Sequence, residues 1–168
     1  GMILTDNKAL AEKARYLTTQ SKDDPIKYIH NEIGYNFRLT NIQAALGVAQ
    51  LEQLDSFISR KKEIYKSYRS CINDLIFNIA EVPDYADNNK WLTVLQGNED
   101  VDLTSLFDIF SKNSIQVRPV WYLNHLQKEY AGCENYQIAS SPKLHNKSLC
   151  LPSSVNISQE EIETICML

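Results

Sequence analysis

Thr40 and Gln43, three residues apart in front of a run of small residues, constrain this chain more than any other feature. The pair reads as a capping box, in which each side chain satisfies a backbone N–H that the first turn of a helix leaves unpaired. A helix therefore begins at Thr40. Behind the cap, Ala44, Ala45, Gly47 and Ala49 keep its surface low, so another backbone can approach closely. In front of it stands a compact cluster, Tyr35, Asn36, Phe37 and Arg38. Free N–H groups and the helix dipole point toward that cluster, which makes it a plausible place to meet an anion.

Upstream, Leu10, Ala14 and Leu17 share one face of a helix expected from about Asp6 to Thr18. Residues 21–39 then lack periodicity and contain Pro25 and Gly34. That is long for a connection, and long ordered loops tend to carry function. Beyond the capped helix, Ile64, Tyr65, Tyr68, Cys71, Ile72 and Leu75 continue an i, i+3/i+4 stripe, so a long or kinked helical pair is expected over residues 40–75.

The remainder changes character. Trp91–Leu95, Ile115–Val117 and Leu149–Leu151 read as strands, the second stopped by Arg118-Pro119 and the third followed by Pro152. Leu103, Leu106, Phe107 and Phe110 mark a helix between the first two. Ser158 with Glu161 forms another capping box and opens a last helix with Ile162 and Ile165 inward. Strands alternating with helices predict an α/β (or α+β) fold, a small sheet covered on one side by helices and preceded by long helices.

Composition narrows the function classes. The 43% hydrophobic and 23% charged content is that of a globular chain of one to one and a half domains. No apolar run approaches a bilayer span and no signal peptide is visible, so a cytoplasmic protein without membrane contact is expected. A net charge of -4 gives nucleic acid no general attraction. It also weighs against a helix-turn-helix regulator built on the Thr40–Leu54 helix. The basic clusters Lys8/Lys13/Arg15, Arg60/Lys61/Lys62 and Lys66/Arg69 alternate with acids and are expected on solvated helix faces. Cys71, Cys133, Cys150 and Cys166 lack metal-site spacing and fit reduced thiols, with Cys71 and Cys150 expected to be buried and inert.

The stretch GYNFRLTNIQAALGVAQLEQLD resembles the corresponding segment of the pyridoxal-phosphate-dependent sugar-nucleotide aminotransferases, the DegT/StrS family. GMILTDNKALAEKARYLTTQ resembles the stretch after that family's cofactor lysine, IQVRPVWYLNHLQKEY its later Arg-Pro…His-Leu-Gln segment, and LCLPSSVNISQEEIETI its closing strand and helix. Nearly the whole chain is covered, in order. The resemblance implies the end of the large cofactor domain over residues 1–55, then a long helix and the small C-terminal domain of a fold-type-I aminotransferase over residues 56–168. It implies transfer of an amino group from glutamate to a nucleotide-linked keto-sugar, for a surface polysaccharide, glycan or sialic-acid-like sugar. The cofactor lysine and the acid that faces the pyridine nitrogen lie, in the family, upstream of the matched segment. This polypeptide is therefore expected not to catalyse transamination or to retain pyridoxal phosphate alone. Gly1-Met2 fits either the family's glycine-rich lead or an initiator methionine behind a residual glycine.

The resemblance also distributes roles. Asn36 would reach the cofactor phosphate of the neighbouring subunit in a homodimer, and Arg38, whose guanidinium grips phosphate or carboxylate with two prongs, would share that site with Tyr35. The plainer reading has Asn36 capping a turn and Arg38 paired with Glu32. Arg118 and His125 would approach the substrate, although this chain has Leu123-Asn124 where many members carry Pro-Leu before the histidine. His30 lies in DDPIKYIHNEIGYN, which resembles members acting on UDP-linked amino sugars, and ranks below Asn36. His145 reads as a polar helix residue, and Trp121, Tyr122 and Tyr130 as core, the alternative being a stack on a sugar or base. The rival from another class is a catalytically silent module, which dimerises or associates with an upstream half and exposes apolar surface around Ile42–Leu54.

Overall fold

The computed structural model describes residues 1–72, 76–98 and 101–168, so Leu75 of the expected stripe lies outside the described residues. The chain divides into two compact units, Gly1–Glu52 and Gln53–Leu168. No helix among the described residues is long and apolar enough to cross a membrane.

The first unit holds α1 (Lys8–Thr18) and α2 (Asn41–Leu51). Asn7 caps α1 by accepting from the Leu10 N–H at 3.1 Å. The expected capping box opens α2: the Gln43 N–H donates to Thr40 Oγ1 at 3.3 Å and the Thr40 N–H to Gln43 Oε1 at 3.0 Å. Neither helix buries a residue, and Leu10, expected inward, is 60% exposed. The loop between them is fastened by its backbone to the C-terminal turn of α1. Tyr35 N–H donates to Leu17 O at 2.8 Å, Phe37 N–H to Thr18 O at 3.0 Å and Gln20 N–H to Tyr35 O at 3.1 Å. Gln20 and Ser21 take left-handed conformations to make this turn. Gly34 packs so closely that a Cβ there would lie 2.4 Å from Ser21 N, so the position requires glycine.

The second unit is a four-stranded antiparallel sheet with helices. Its elements are α3 (Leu54–Cys71), β1 (Phe77–Ile79), β2 (Thr93–Gly97), α4 (Leu103–Lys112), β3 (Arg118–Pro119), α5 (Ser140–Asn146), β4 (Ser148–Leu151) and α6 (Gln159–Cys166). Strand order is β1-β2-β4-β3. Ile79 pairs with Leu95, Leu95 with Leu149 and Thr93 with Leu151, so these side chains share one face. The buried residues of α3 (Ile64, Tyr65, Tyr68), α4 (Leu106, Phe110) and α6 (Ile162, Ile165) join that face in one hydrophobic core. Central β4 is buried along its whole length.

The expected helical pair is present as two helices, separated at Glu52–Gln53, while several other expectations change. The second expected strand forms later, at Arg118–Pro119, and sits at the sheet edge because proline has no N–H for a second neighbour. The first strand is displaced to Thr93–Gly97, and β1 was not expected. Cys71 is exposed rather than buried, since it is the last residue of α3, beyond that helix's buried Ile64, Tyr65 and Tyr68, whereas Cys150 is buried. Arg60 and Lys61 are not merely solvated. Arg60 donates to Ile157 O at 2.6 Å, and Lys61 Nζ donates to Trp91 O at 3.0 Å and to Ser153 O. Desolvation lowers the Lys61 ammonium below its ordinary pKa.

Candidate functional site

In the first unit the residues expected to meet an anion gather beside the start of α2. Asn36 and Arg38 line one open groove with Arg15, Thr18 and Gln43, between the N-terminal segment and α1. The alternation of an extended strand-like segment explains the arrangement: Asn36 bridges Thr19, and Asn36 and Arg38, two residues apart, lie on one side. Tyr35 and Phe37 form a parallel ring stack at 5.4 Å between centroids, and both are exposed. Asn36 Oδ1 faces the Arg38 N–H at 3.5 Å, a loose turn contact. Glu32 is paired with Lys13 rather than with Arg38. Among the described residues no carboxylate forms an ion pair with the Arg38 guanidinium. Arg15 and Thr18 were not singled out in the sequence. Their signal was the side of α1 onto which the loop folds, which periodicity alone does not mark.

His30 is built into the loop and lies away from this groove's lining, its Nδ1 2.7 Å from Gln20 O. Beside it, Asp23 accepts from the Asn31 N–H at 2.7 Å and the Tyr16 hydroxyl at 2.9 Å. The Asn31 N–H foremost holds the Asp23 carboxyl below its ordinary pKa, against a desolvation that pushes it up. Tyr16 is raised, first by desolvation and then by its bond to Asp23.

In the second unit Arg118 is exposed at the sheet edge, where it pairs with Cys150. His125 sits in a 3-10 turn, Asn124–Leu126, and lines a shallow depression with Trp121, Tyr122, Tyr130 and Asn135. Arg118 is not part of that lining. Trp121, Tyr122 and Tyr130, expected in the core, are instead 67%, 52% and 50% exposed. They follow an edge strand, Trp121 and Tyr122 in irregular backbone and Tyr130 in a 3-10 turn (Lys128–Tyr130), outside the α-helix and strand faces that build the core. Trp121 lies 5.8 Å from Trp91 between ring centroids, and Tyr122 meets His145 edge-on at 5.6 Å. No cluster of metal-ligating side chains occurs among the described residues.

The fold is that of sugar aminotransferases of fold type I. The structure superposes on the aminotransferase TlmJ from Streptoalloteichus hindustanus with a TM-score of 0.80 at 17% identity, covering 96% of this chain and 44% of that one. On Helicobacter pylori PseC, an aminotransferase of pseudoaminic acid biosynthesis, the TM-score is 0.77 at 19% identity, over 97% of this chain and 46% of that one. By sequence, the chain belongs to the DegT/DnrJ/EryC1/StrS aminotransferase family, whose profile matches residues 1–168. It is 36% identical to the GDP-perosamine synthase of Escherichia coli O157:H7, over 99% of this chain and 45% of that protein. It is 31% identical to EpsN of Bacillus subtilis (strain 168), whose name describes a pyridoxal phosphate-dependent aminotransferase, over 96% of this chain and 43% of that protein. The chain thus spans about half the length of the curated relatives it matches.

Proposed function

We propose that this chain supplies the phosphate-gripping and substrate-facing residues of a sugar aminotransferase, which moves an amino group from glutamate to a nucleotide-linked keto-sugar. The observation that carries it is the groove in which Asn36 and the Arg38 guanidinium stand side by side, without a carboxylate ion-paired to Arg38 among the described residues. An amide and a guanidinium with their hydrogen-bonding capacity open to solvent fit the phosphate end of pyridoxal phosphate. The groove's lining holds no lysine and no acid for the ring end, so in this reading those groups would come from outside the groove. When bound, the cofactor would supply the electron sink for amino transfer. The work of this chain's residues is binding and orientation. Asn36 and Arg38 would anchor the phosphate across a homodimer, and Tyr35, Arg118, His125 and, less centrally, His30 would contact the nucleotide-sugar. In this reading residues 1–55 belong to a large cofactor domain, and residues 56–168 are a long helix plus the small C-terminal domain.

The test is cofactor titration of this chain joined to the N-terminal half of a family member. Asn36→Ala and Arg38→Ala should each weaken pyridoxal phosphate binding by about 10- to 100-fold, the value of one hydrogen bond to a charged group. Unchanged affinity in both variants would reject the assignment.

A second reading has its own observation. Ile42, Leu46, Val48 and Leu51 on α2 are 84%, 63%, 54% and 68% exposed, an apolar surface that suits an association module. In that reading the 168-residue chain associates in solution and cofactor never binds, whichever half is added.

A further inference from the structure

We infer that the depression around Trp121 binds an uncharged sugar ring, with the Trp121 indole as the surface on which the ring lies. The inference deepens the substrate-facing role proposed for His125 and rests on that reading. Both tryptophans of the chain are exposed, and they meet here. Large apolar groups gathered at one place on a surface mark a site that a ligand covers.

The surface is preformed. Trp91 backs Trp121, and its own backbone is pinned on both sides. Its N–H donates to Asn89 Oδ1 at 3.0 Å, and its carbonyl accepts from Lys61 Nζ at 3.0 Å and from Ser153 Oγ at 3.3 Å. Tyr122 is backed by His145 of α5. From Leu123 onward, tight turns carry the wall: Leu126 N–H donates to Leu123 O at 3.0 Å, Gln127 N–H to Asn124 O at 3.0 Å and Cys133 N–H to Tyr130 O at 2.9 Å. Asn135 Nδ2 donates to Cys133 O at 3.3 Å and so holds that amide at the depression. No residue from 118 to 147 is buried, so this order does not serve a core of its own.

The lining selects the ligand. Beside the rings stand the Asn124 and Asn135 amides, the His125 imidazole and the Glu134 carboxylate, with neither arginine nor lysine. Among the described residues Glu134 forms no ion pair. Amides and a carboxylate pair with sugar hydroxyls, while the C–H face of a pyranose covers the indole. A nucleobase would stack on the indole too, but the phosphates of its nucleotide would meet Glu134 with no arginine or lysine in the lining to offset the repulsion.

The experiment titrates the 168-residue chain, without cofactor, with N-acetylglucosamine and separately with uridine monophosphate. Tryptophan fluorescence reports the site, because the chain has no indole elsewhere. Saturation-transfer NMR, which needs no indole, measures the variants. N-acetylglucosamine should give a saturable change at millimolar concentration, and uridine monophosphate none. Trp121 lies outside the core, so Trp121→Ala should keep the fold and weaken the sugar by about 10-fold or more. Asn135→Ala should weaken it by about 3- to 10-fold, the value of one neutral hydrogen bond. Tyr85→Ala, at an exposed aromatic residue outside the depression, should leave it unchanged. Absence of saturable sugar binding, equal affinity in Trp121→Ala, or tighter binding of uridine monophosphate would overturn the proposal. With no cofactor present, Asn36 and Arg38 do not enter the result, so failure here and failure of the cofactor titration are separate outcomes.

Discussion

Residues 1–52 and residues 53–168 spend the same kinds of apolar side chain in opposite ways. In Gln53–Leu168, Ile64, Tyr68, Leu149 and Ile162 are fully removed from water and share one core. In Gly1–Glu52 the only buried residue is Ser21, while Ile3, Leu4, Ile33, Phe37 and Ile42 are each more than two-thirds exposed. Burial of one such side chain is worth roughly 1.5–3 kcal/mol, so the second unit has a driving force for folding that the first lacks. The first is held instead by caps, backbone bonds and the Lys13–Glu32 pair. These specify a shape more than they stabilise it. A unit with a defined backbone and no core fits the proposed association with further polypeptide, and the chain spans about half the length of the curated relatives it matches.

The sharpest way to break this contrast is to truncate one large side chain in each unit. Tyr68 is fully buried and donates to Pro152 O at 2.8 Å. Tyr68→Ala should cost about 3–5 kcal/mol in urea unfolding of the 168-residue chain, from the cavity and the lost bond together. Ile42→Ala should stay within about 0.5 kcal/mol of the parent. A comparable loss at Ile42 would mean that the α2 surface is covered in solution and that the two units do not differ as described.

What the sequence disclosed follows the same division. Both capping boxes were legible because the code for them is local: a hydroxyl, three residues, and an amide or carboxylate. The α3 stripe of Ile64, Tyr65 and Tyr68 was legible because its period matches a helix packed on one side. The placement of strands was less so. Phe77–Ile79 is a short edge strand defined by its pairing to β2, and pairing is not written in the strand itself. Trp121 and Tyr122 in irregular backbone and Tyr130 in a 3-10 turn belong to no helix or strand period, so their hydrophobicity does not mark burial. Asn36 and Arg38 stood out by residue type and motif, whereas Arg15 joins their groove only through a loop closed by backbone bonds that composition does not encode.

A smaller effect sharpens the contrast inside the first unit. With no core there, its order depends on close backbone approach at Gly34. An alanine Cβ would meet Ser21 N and Oγ at 2.4 Å, so Gly34→Ala should cost about 1–3 kcal/mol locally, in line with over-packing. Hydrogen exchange should report it as faster exchange of the Gln20, Tyr35 and Phe37 amides, with Ile79 and Leu95 in the second unit unaffected. Loss of protection at the sheet as well would tie the stability of the two units together and weaken the comparison.

The smallest effect is in acid, where the units differ in what remains after a bond is lost. Asp23 sits below its ordinary 3.8 chiefly because it accepts the Asn31 N–H. Glu161 sits below 4.5 because it accepts from the Ser158 backbone and hydroxyl. For a carboxylate depressed in the folded state, the stabilisation is present above the unfolded value and is lost as pH falls through the lower folded one. Acid therefore weakens both, but α6 is still anchored by Ile162 and Ile165, whereas the loop around Asp23 has only Ser21 buried in its unit. The Asn31 amide resonance should shift with a midpoint below 3.8, and residues 23–31 should lose exchange protection while α6 frays only at its first turn. Asp23→Asn should abolish that titration and leave α6 untouched. A midpoint at or above 3.8, or an α6 that unravels together with the loop, would show that burial does not separate the two units in the way their exposed and buried side chains imply.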